Sequence, residues 1–227
     1  MADTTDAPAP LKVVLFLGSV RQASPFWGGL PPRVGDRVVK FVQARVAARN
    51  AAQDASVPKL EVSVVDPVEL PSVMSLAALE GNPTYYATRD TSTLPADLQK
   101  LVKDVEQADA YLVVCPEYNH TIPPALTAMM NFVGCSKYAN KVSGSITYSG
   151  FPSAAGGARC AVALRPFLSE LGCLPVSKQA VLPNAPAQLN EDGEPQGDHA
   201  SGCIKQVDAV LEQLEWWAEA ARTQRQK

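Results

Sequence analysis

Two stretches of the chain hold residues whose types and spacing could do chemistry. The first reads Gly18-Ser19-Val20-Arg21, directly after an apolar run, with Arg33-Val34-Gly35 a little further on. Holding a phosphate takes backbone N–H donors, a hydroxyl, positive charge and a helix N-terminus. Ser19 supplies a hydroxyl, Arg21 and Arg33 supply charge, and Gly35 would allow a close backbone approach. Asp36 suits the start of a helix but opposes a phosphate there. The spacing is neither G-x-G-x-x-G nor G-x-x-x-x-G-K-[ST], so a monophosphate held without metal fits better than a dinucleotide or a triphosphate. An ordinary strand–helix turn with solvated arginines would use the same residues.

The second stretch is Cys115-Pro116-Glu117-Tyr118-Asn119-His120-Thr121-Ile122-Pro123-Pro124. Prolines bracket it, so its backbone is stiff. A stiff loop at a strand end presents fixed N–H and C=O groups to a flat ring rich in heteroatoms. Tyr118 could cover such a ring, and Asn119 both donates and accepts. The competing reading is a proline-rich turn with a partly buried tyrosine.

Both stretches follow short apolar runs, 11–17 and 110–115, that read as buried strands. Further strands are expected over 60–66, 141–148 and 176–182. Helices are expected between them, from about 33 to 52, from 95, from 123 to 132, and from 157 to 171. In the last of these Pro166 should kink or restart the helix. Ile204, Val207, Leu211 and Leu214 line one face of a final helix. Strands alternating with helices imply a parallel sheet covered on both faces, with ligands at the carboxyl ends of its strands. Two doubly wound strand orders fit this pattern. Residues 68–94 show no sustained period and read as a long loop, a lid or a contact arm. The expected organisation is a flexible tail over 1–10, one domain over 11–221 and a short tail over 222–227.

Composition narrows the function classes. Of 227 residues, 46% are hydrophobic and 19% charged, enough apolar material for a sizeable core. The net charge of -3 disfavours a nucleic-acid partner. Nothing approaches the ~20 apolar residues of a membrane span, and the first ten residues lack the pattern of a signal peptide. The five cysteines form no C-x-x-C pair and read as free thiols of a reducing, cytoplasmic setting. With two histidines, a histidine-rich metal site is excluded.

GSVR, the segment P-E-Y-N-H-T-I-P-P-A-L and a Gly-rich turn after the fourth strand together resemble the NADPH-dependent FMN reductase family, which includes flavin, quinone, chromate and azo-dye reductases. Asp192-Gly193 and the helix containing Glu215-Trp216-Trp217 resemble one branch of it. The resemblance implies a flavodoxin-like α/β sandwich with a five-stranded parallel sheet in the order 2-1-3-4-5. It implies that Ser19 and Arg21 hold the FMN phosphate, with Arg33, Val34 and Gly35 as a displaced R-x-G element behind an insertion containing Phe26, Trp27, Gly28 and Gly29. Pro116, Glu117, Tyr118, Asn119 and Thr121 would lie along the isoalloxazine, and Ser149 and Gly150 would form the turn beside it. Backbone N–H groups at Asn119 and at Ser149-Gly150 would then face flavin N1 and O2.

In that family hydride passes from NADPH or NADH to the flavin and on to a small acceptor such as a quinone or another flavin. The cofactor carries the chemistry, so no catalytic side chain and no metal are expected. A homodimer or homotetramer is expected, without nucleic-acid or membrane partners. The alternative is a flavodoxin-like electron carrier or redox-responsive interaction protein. Arg159 adds a further expectation: a cation in the first turn of a helix opposes the dipole and calls for an acidic partner. Glu117 is the candidate, and a solvated arginine is the alternative.

Overall fold

The computed structural model describes residues 8–21, 32–73, 91–152 and 156–227. The insertion around Phe26–Gly29 and most of the long loop, with Tyr85 and Tyr86, lie outside the described residues. The chain begins with β1 (Leu11–Leu17), α1 (Val34–Ala52) and β2 (Leu60–Val65). Then come α2 (Ala96–Gln107), β3 (Ala110–Pro116), α3 (Pro124–Phe132), a one-turn α4 (Cys135–Tyr138) and β4 (Val142–Tyr148). It closes with α5 (Ala158–Glu170), β5 (Leu174–Pro175), β6 (Ala180–Leu182), a one-turn α6 (Ala185–Gln188) and α7 (Ala200–Arg225).

Among the described residues the named strands pair in parallel throughout, in the order β2-β1-β3-β4-β5, with β6 also on β4. This is the flavodoxin-like order expected, and it sets the switch point between β1 and β3. Successive side chains of a strand face opposite ways, and β1 shows the consequence. Leu11, Val13, Leu15 and Leu17 pack with α1 and α7, while Val14 and Phe16 pack with α2, α3 and α5. Both faces of the sheet are therefore dry, which is why β1, β3 and β4 read as unbroken apolar or small-residue runs.

The fifth strand departs from the expectation of one run over 176–182. β5 pairs with Val142 and Ser143, β6 pairs with Ile146 to Tyr148, and the chain leaves the ladder between them. Side chains from both helical layers hold the break. Gln213 of α7 accepts from Ser177 Oγ at 3.0 Å and from the Lys178 N–H at 2.9 Å. Arg165 of α5 donates to the Ser177 carbonyl at 2.6 Å. Gln179 Nε2 donates to Ser145 Oγ at 3.0 Å and to the Ala161 carbonyl at 2.8 Å. The fifth position of the sheet is thus filled by two short strands, six strands in all among the described residues.

Pro166 lies inside α5 without ending it. The carbonyl that loses its donor belongs to Val162, which is 71% exposed, so water can replace the missing N–H. Helix α7 runs past residue 221. Arg222 donates to the carbonyls of Ala9 and Pro10, and Arg225 donates to Asn140 O and Asp109 Oδ1. Its Trp216 and Trp217 stand outside the core, with their rings edge to face.

Candidate active site

At the carboxyl end of the sheet, β1, β3 and β4 deliver their following loops into one cleft of about 270 Å³. That is close to the ~300 Å³ at which small-molecule pockets begin. Ser19, Arg21, Val34, Pro116, Tyr118, Tyr148, Gly150 and Phe151 are among its walls. The ladder continues just past the strands: Gly18 N–H donates to Val114 O, and Glu117 N–H donates to Tyr148 O. Both loops therefore leave a rigid frame in fixed register.

After β3 the chain makes a tight turn. Tyr118 and Thr121 exchange two backbone hydrogen bonds, at 3.1 and 2.9 Å. Asn119 and His120 between them have φ of 48° and 64°. Positive φ at both central positions is the primed hairpin turn, and it is costly for a histidine. The turn leaves the Asn119 and His120 N–H groups without an acceptor among the described residues.

Glu117 ties this turn to the next one. Its Oε2 accepts from the N–H groups of Arg159, at 3.0 Å, and Cys160, at 3.3 Å, so the carboxylate caps α5 from outside the helix. Its Oε1 lies 3.0 Å from His120 Nδ1 and 3.6 Å from Arg159 Nη1. Arg159 Nη1 also lies 2.8 Å from His120 Nδ1, so this nitrogen donates to Glu117 in one tautomer or accepts from Arg159 in the other, not both at once. Burial alone would raise the Glu117 carboxyl. The bonds from His120, Cys160 and Arg159 outweigh it and hold the group below its usual range. The acidic partner expected for Arg159 is therefore present, within a single chain.

The loop after β1 builds the other end of the cleft. Ser19 Oγ is 3.3 Å from Tyr118 Oη and accepts from the Arg21 N–H at 3.4 Å. The Arg21 guanidinium lies 4.3 Å from the centroid of the Tyr118 ring, a cation–π contact that leaves the group at the cleft wall. The N–H groups of Ser19 and Val20 have no acceptor among the described residues. A hydroxyl, a guanidinium and N–H groups without an acceptor among the described residues are a donor set that suits an anion.

Two residues of the expected R-x-G element sit behind this wall. Arg33 is buried, donating to the Ser19 carbonyl at 2.8 Å and to the carboxylates of Asp36 and Asp66. Gly35 packs under the site. A Cβ there would come 2.7 Å from Tyr148 Oη and 2.8 Å from Leu17 Cδ1, so glycine lets α1 close onto the sheet. Only Val34 of the three faces the cleft. Thr121 closes the hairpin by its backbone and is not a wall of the cleft.

Ser149 is at the cleft but is taken up by the fold. Its N–H donates to Leu182 O, its hydroxyl donates to Phe151 O at 2.9 Å, and its Oγ accepts from the Asn184 N–H at 2.9 Å. Gly150 keeps a backbone N–H with no acceptor among the described residues. Tyr148, Phe151 and His120 are walls of the cleft that the motif reading passed over. Tyr148 was legible only as the end of an apolar strand, and its hydroxyl is pushed well above the usual tyrosine range, chiefly by burial. Cys115 is buried at the end of β3, its Sγ 3.4 Å from that of Cys160, as suits a core thiol.

Comparison with known proteins bears on this cleft directly. The family described as NADPH-dependent FMN reductase matches residues 11–187. Comparison with curated protein sequences finds no significant match. Among solved structures, an oxidoreductase from Corynebacterium diphtheriae is 14% identical, covers 94% of this chain and 99% of its own, and has a TM-score of 0.64. FerB, a flavoenzyme NAD(P)H:(acceptor) oxidoreductase from Paracoccus denitrificans, is 19% identical over 90% of this chain and 97% of its own, with a TM-score of 0.64. The apo form of the NADH:FMN oxidoreductase EMOB is 20% identical over 89% of this chain and 90% of its own, with a TM-score of 0.62. These likenesses establish the shared fold, and the family match extends from β1 into α6. With its cleft at the β1/β3 switch point and the family match covering most of its length, the chain belongs to the NADPH-dependent FMN reductase family and is an FMN-dependent NAD(P)H oxidoreductase.

Proposed function

We propose that this chain reduces a small, flat two-electron acceptor, a quinone or a flavin, at the cleft formed by the loops after β1, β3 and β4. The observation that carries this reading is the pairing of an anion site with a ring site in one cleft. Ser19 Oγ, the Arg21 guanidinium and the N–H groups of Ser19 and Val20 suit the phosphate of FMN. The N–H groups of Asn119, His120 and Gly150 suit the polar edge of its ring system.

FMN held by these residues would supply the two-electron hydride chemistry. The protein's residues bind and orient. Pro116 and the Tyr118–Thr121 hairpin hold the donors still, so no reorganisation is needed when charge develops on the ring. Tyr118 and Tyr148 line the cleft with low-dielectric surface, which strengthens those bonds. Phe151, 65% exposed at the rim, offers an apolar face for a flat acceptor. Phe151 together with Val20 also gives the rim an apolar border that a second copy would cover, in keeping with a homodimer or homotetramer. The free thiols fit a reducing cytoplasm.

The test is an absorbance spectrum after FMN addition and desalting, followed by anaerobic NADPH and then a benzoquinone. A flavin band near ~450 nm that is retained, bleaches with NADPH and returns with the quinone supports the reading, since the chemistry resides in the cofactor. Retention with no quinone-dependent recovery rejects the quinone acceptor. No retained flavin rejects the site.

A further inference from the structure

The position of Arg33 has a consequence for how the anion site is built. A guanidinium has five N–H donors. Nε–H goes to Asp36 Oδ1 at 2.8 Å. Nη1 donates to the Ser19 carbonyl at 2.8 Å and to Asp66 Oδ1 at 2.9 Å. Nη2 meets Asp66 Oδ2 and, at 2.6 Å, Asp36 Oδ1. Four of the five donors make hydrogen bonds and Nη2 is also in ion-pair contact with Asp36, Arg33 is only 8% exposed, and it is not a wall of the cleft. Asp66 is itself fixed, since its Oδ1 also accepts from the Val68 N–H at 3.0 Å.

We infer that Asp66 and Arg33 are positioning residues for phosphate recognition, a buried strut that aims the loop after β1 without touching the phosphate. The carbonyl of Ser19 and the N–H of Val20 belong to one planar peptide unit and point in opposite directions. Anchoring the carbonyl on Arg33 therefore turns the Val20 N–H away from the buried guanidinium. It also settles the backbone that carries Ser19 Oγ. Asp66, at the end of β2, holds the guanidinium in two parallel bonds, so the strut runs from the second strand to the loop after the first. This inference rests on the assignment of FMN to the cleft.

Charge and geometry make opposite predictions here, which makes the test sharp. Asp66→Asn removes a negative charge near the anion site, and charge alone would tighten FMN. The strut predicts the reverse. FMN Kd, read by quenching of flavin fluorescence, should rise about tenfold, the effect of misaiming one charge-assisted hydrogen bond. Riboflavin, which lacks the phosphate, should change by less than about twofold on the same reasoning. Arg33→Lys keeps the charge and loses the fork, and should act alike. Circular dichroism and Tm accompany each titration, and whichever variant retains the fold decides the matter. Unchanged or tighter FMN binding overturns the strut. Parallel losses of FMN and riboflavin also overturn it, because general loosening would explain them. A wild-type protein that binds FMN no better than riboflavin fails differently: it overturns the site assignment itself.

Discussion

Replacing Glu117 by alanine tests whether the two turns of the site are one mechanical unit. Glu117 is 6% exposed and caps α5 through two backbone N–H groups. Losing a side-chain cap costs about 1 kcal/mol, within a range of roughly 0.5–2. Losing an anion at a helix N-terminus adds about 0.3–1 kcal/mol. The Arg159 and His120 side chains are 52% and 67% exposed, so the Arg159 ion pair and the His120 contact with Glu117 together add at most about 1 kcal/mol. A total near 2 kcal/mol corresponds to a Tm lower by about 4–8 °C in a domain of this size. Glu117→Gln keeps an acceptor and loses the charge, so about half that drop is expected. The pH dependence has a definite sign. The Glu117 carboxyl titrates lower in the native state than in the unfolded chain, so its contribution is complete above the ordinary glutamate pKa of ~4.3 and is lost as pH falls through the native value. The assay is thermal unfolding of wild type and both variants from pH 7 down to pH 3. The wild-type advantage should hold to about pH 5 and shrink below about pH 4. A Tm difference under about 1 °C at pH 7, or one that does not shrink in acid, would refute the argument.

Two other perturbations follow from the geometry. Gly157→Ala should lower the urea midpoint strongly, by about 2 kcal/mol or more in stability, because Gly157 has φ of 106° and the new Cβ would lie 2.8 Å from Tyr148 N. A midpoint within error of wild type would mean that the β4–α5 turn can relax. Lys141 donates to the Val105 and Glu106 carbonyls at the end of α2, and its amine is lowered to about 8, first by burial and then by Arg225. The unfolded chain then binds more protons between pH 8 and the ordinary lysine pKa of ~10.4, so stability should rise with pH across that window. Lys141→Met should remove this rise, which paired urea titrations at pH 7.5 and 9.5 would detect.

The periodicity of the chain revealed a parallel sheet and the two loops because each strand of the site is buried on both faces, and burial writes itself into composition; the strand order came from the family resemblance. Ser19, Arg21 and the turn after Pro116 were legible for the same reason: they follow apolar runs directly. Arg33 was legible as a cation but not as a strut. Its partner Asp66 belongs to another strand, and no local pattern shows that two carboxylates and a carbonyl converge on it. The structural bonds of Ser149 were hidden in a similar way, since its hydroxyl meets Asn184 and Phe151 on segments brought together only by the fold. The broken fifth strand depends on Gln213 of α7 bonding the segment between β5 and β6 and on Gln179 of that segment reaching Ser145 and Ala161, tertiary events that strand propensity does not record.

That broken strand shapes how the molecule behaves at high concentration. A continuous outer strand offers a row of N–H and C=O groups to any neighbouring chain and so seeds edge-to-edge stacking. Here the outer border on the β4 side is divided into segments of two and three residues, one of them containing Pro175, with side chains occupying the gap. It cannot template an intermolecular ribbon. Among the described residues the opposite border is β2, an unbroken six-residue strand that carries the exposed charge of Glu61. Aggregation from partly unfolded protein should therefore begin at β2, and the border beside the Gly-rich turn stays inert through concentration and storage.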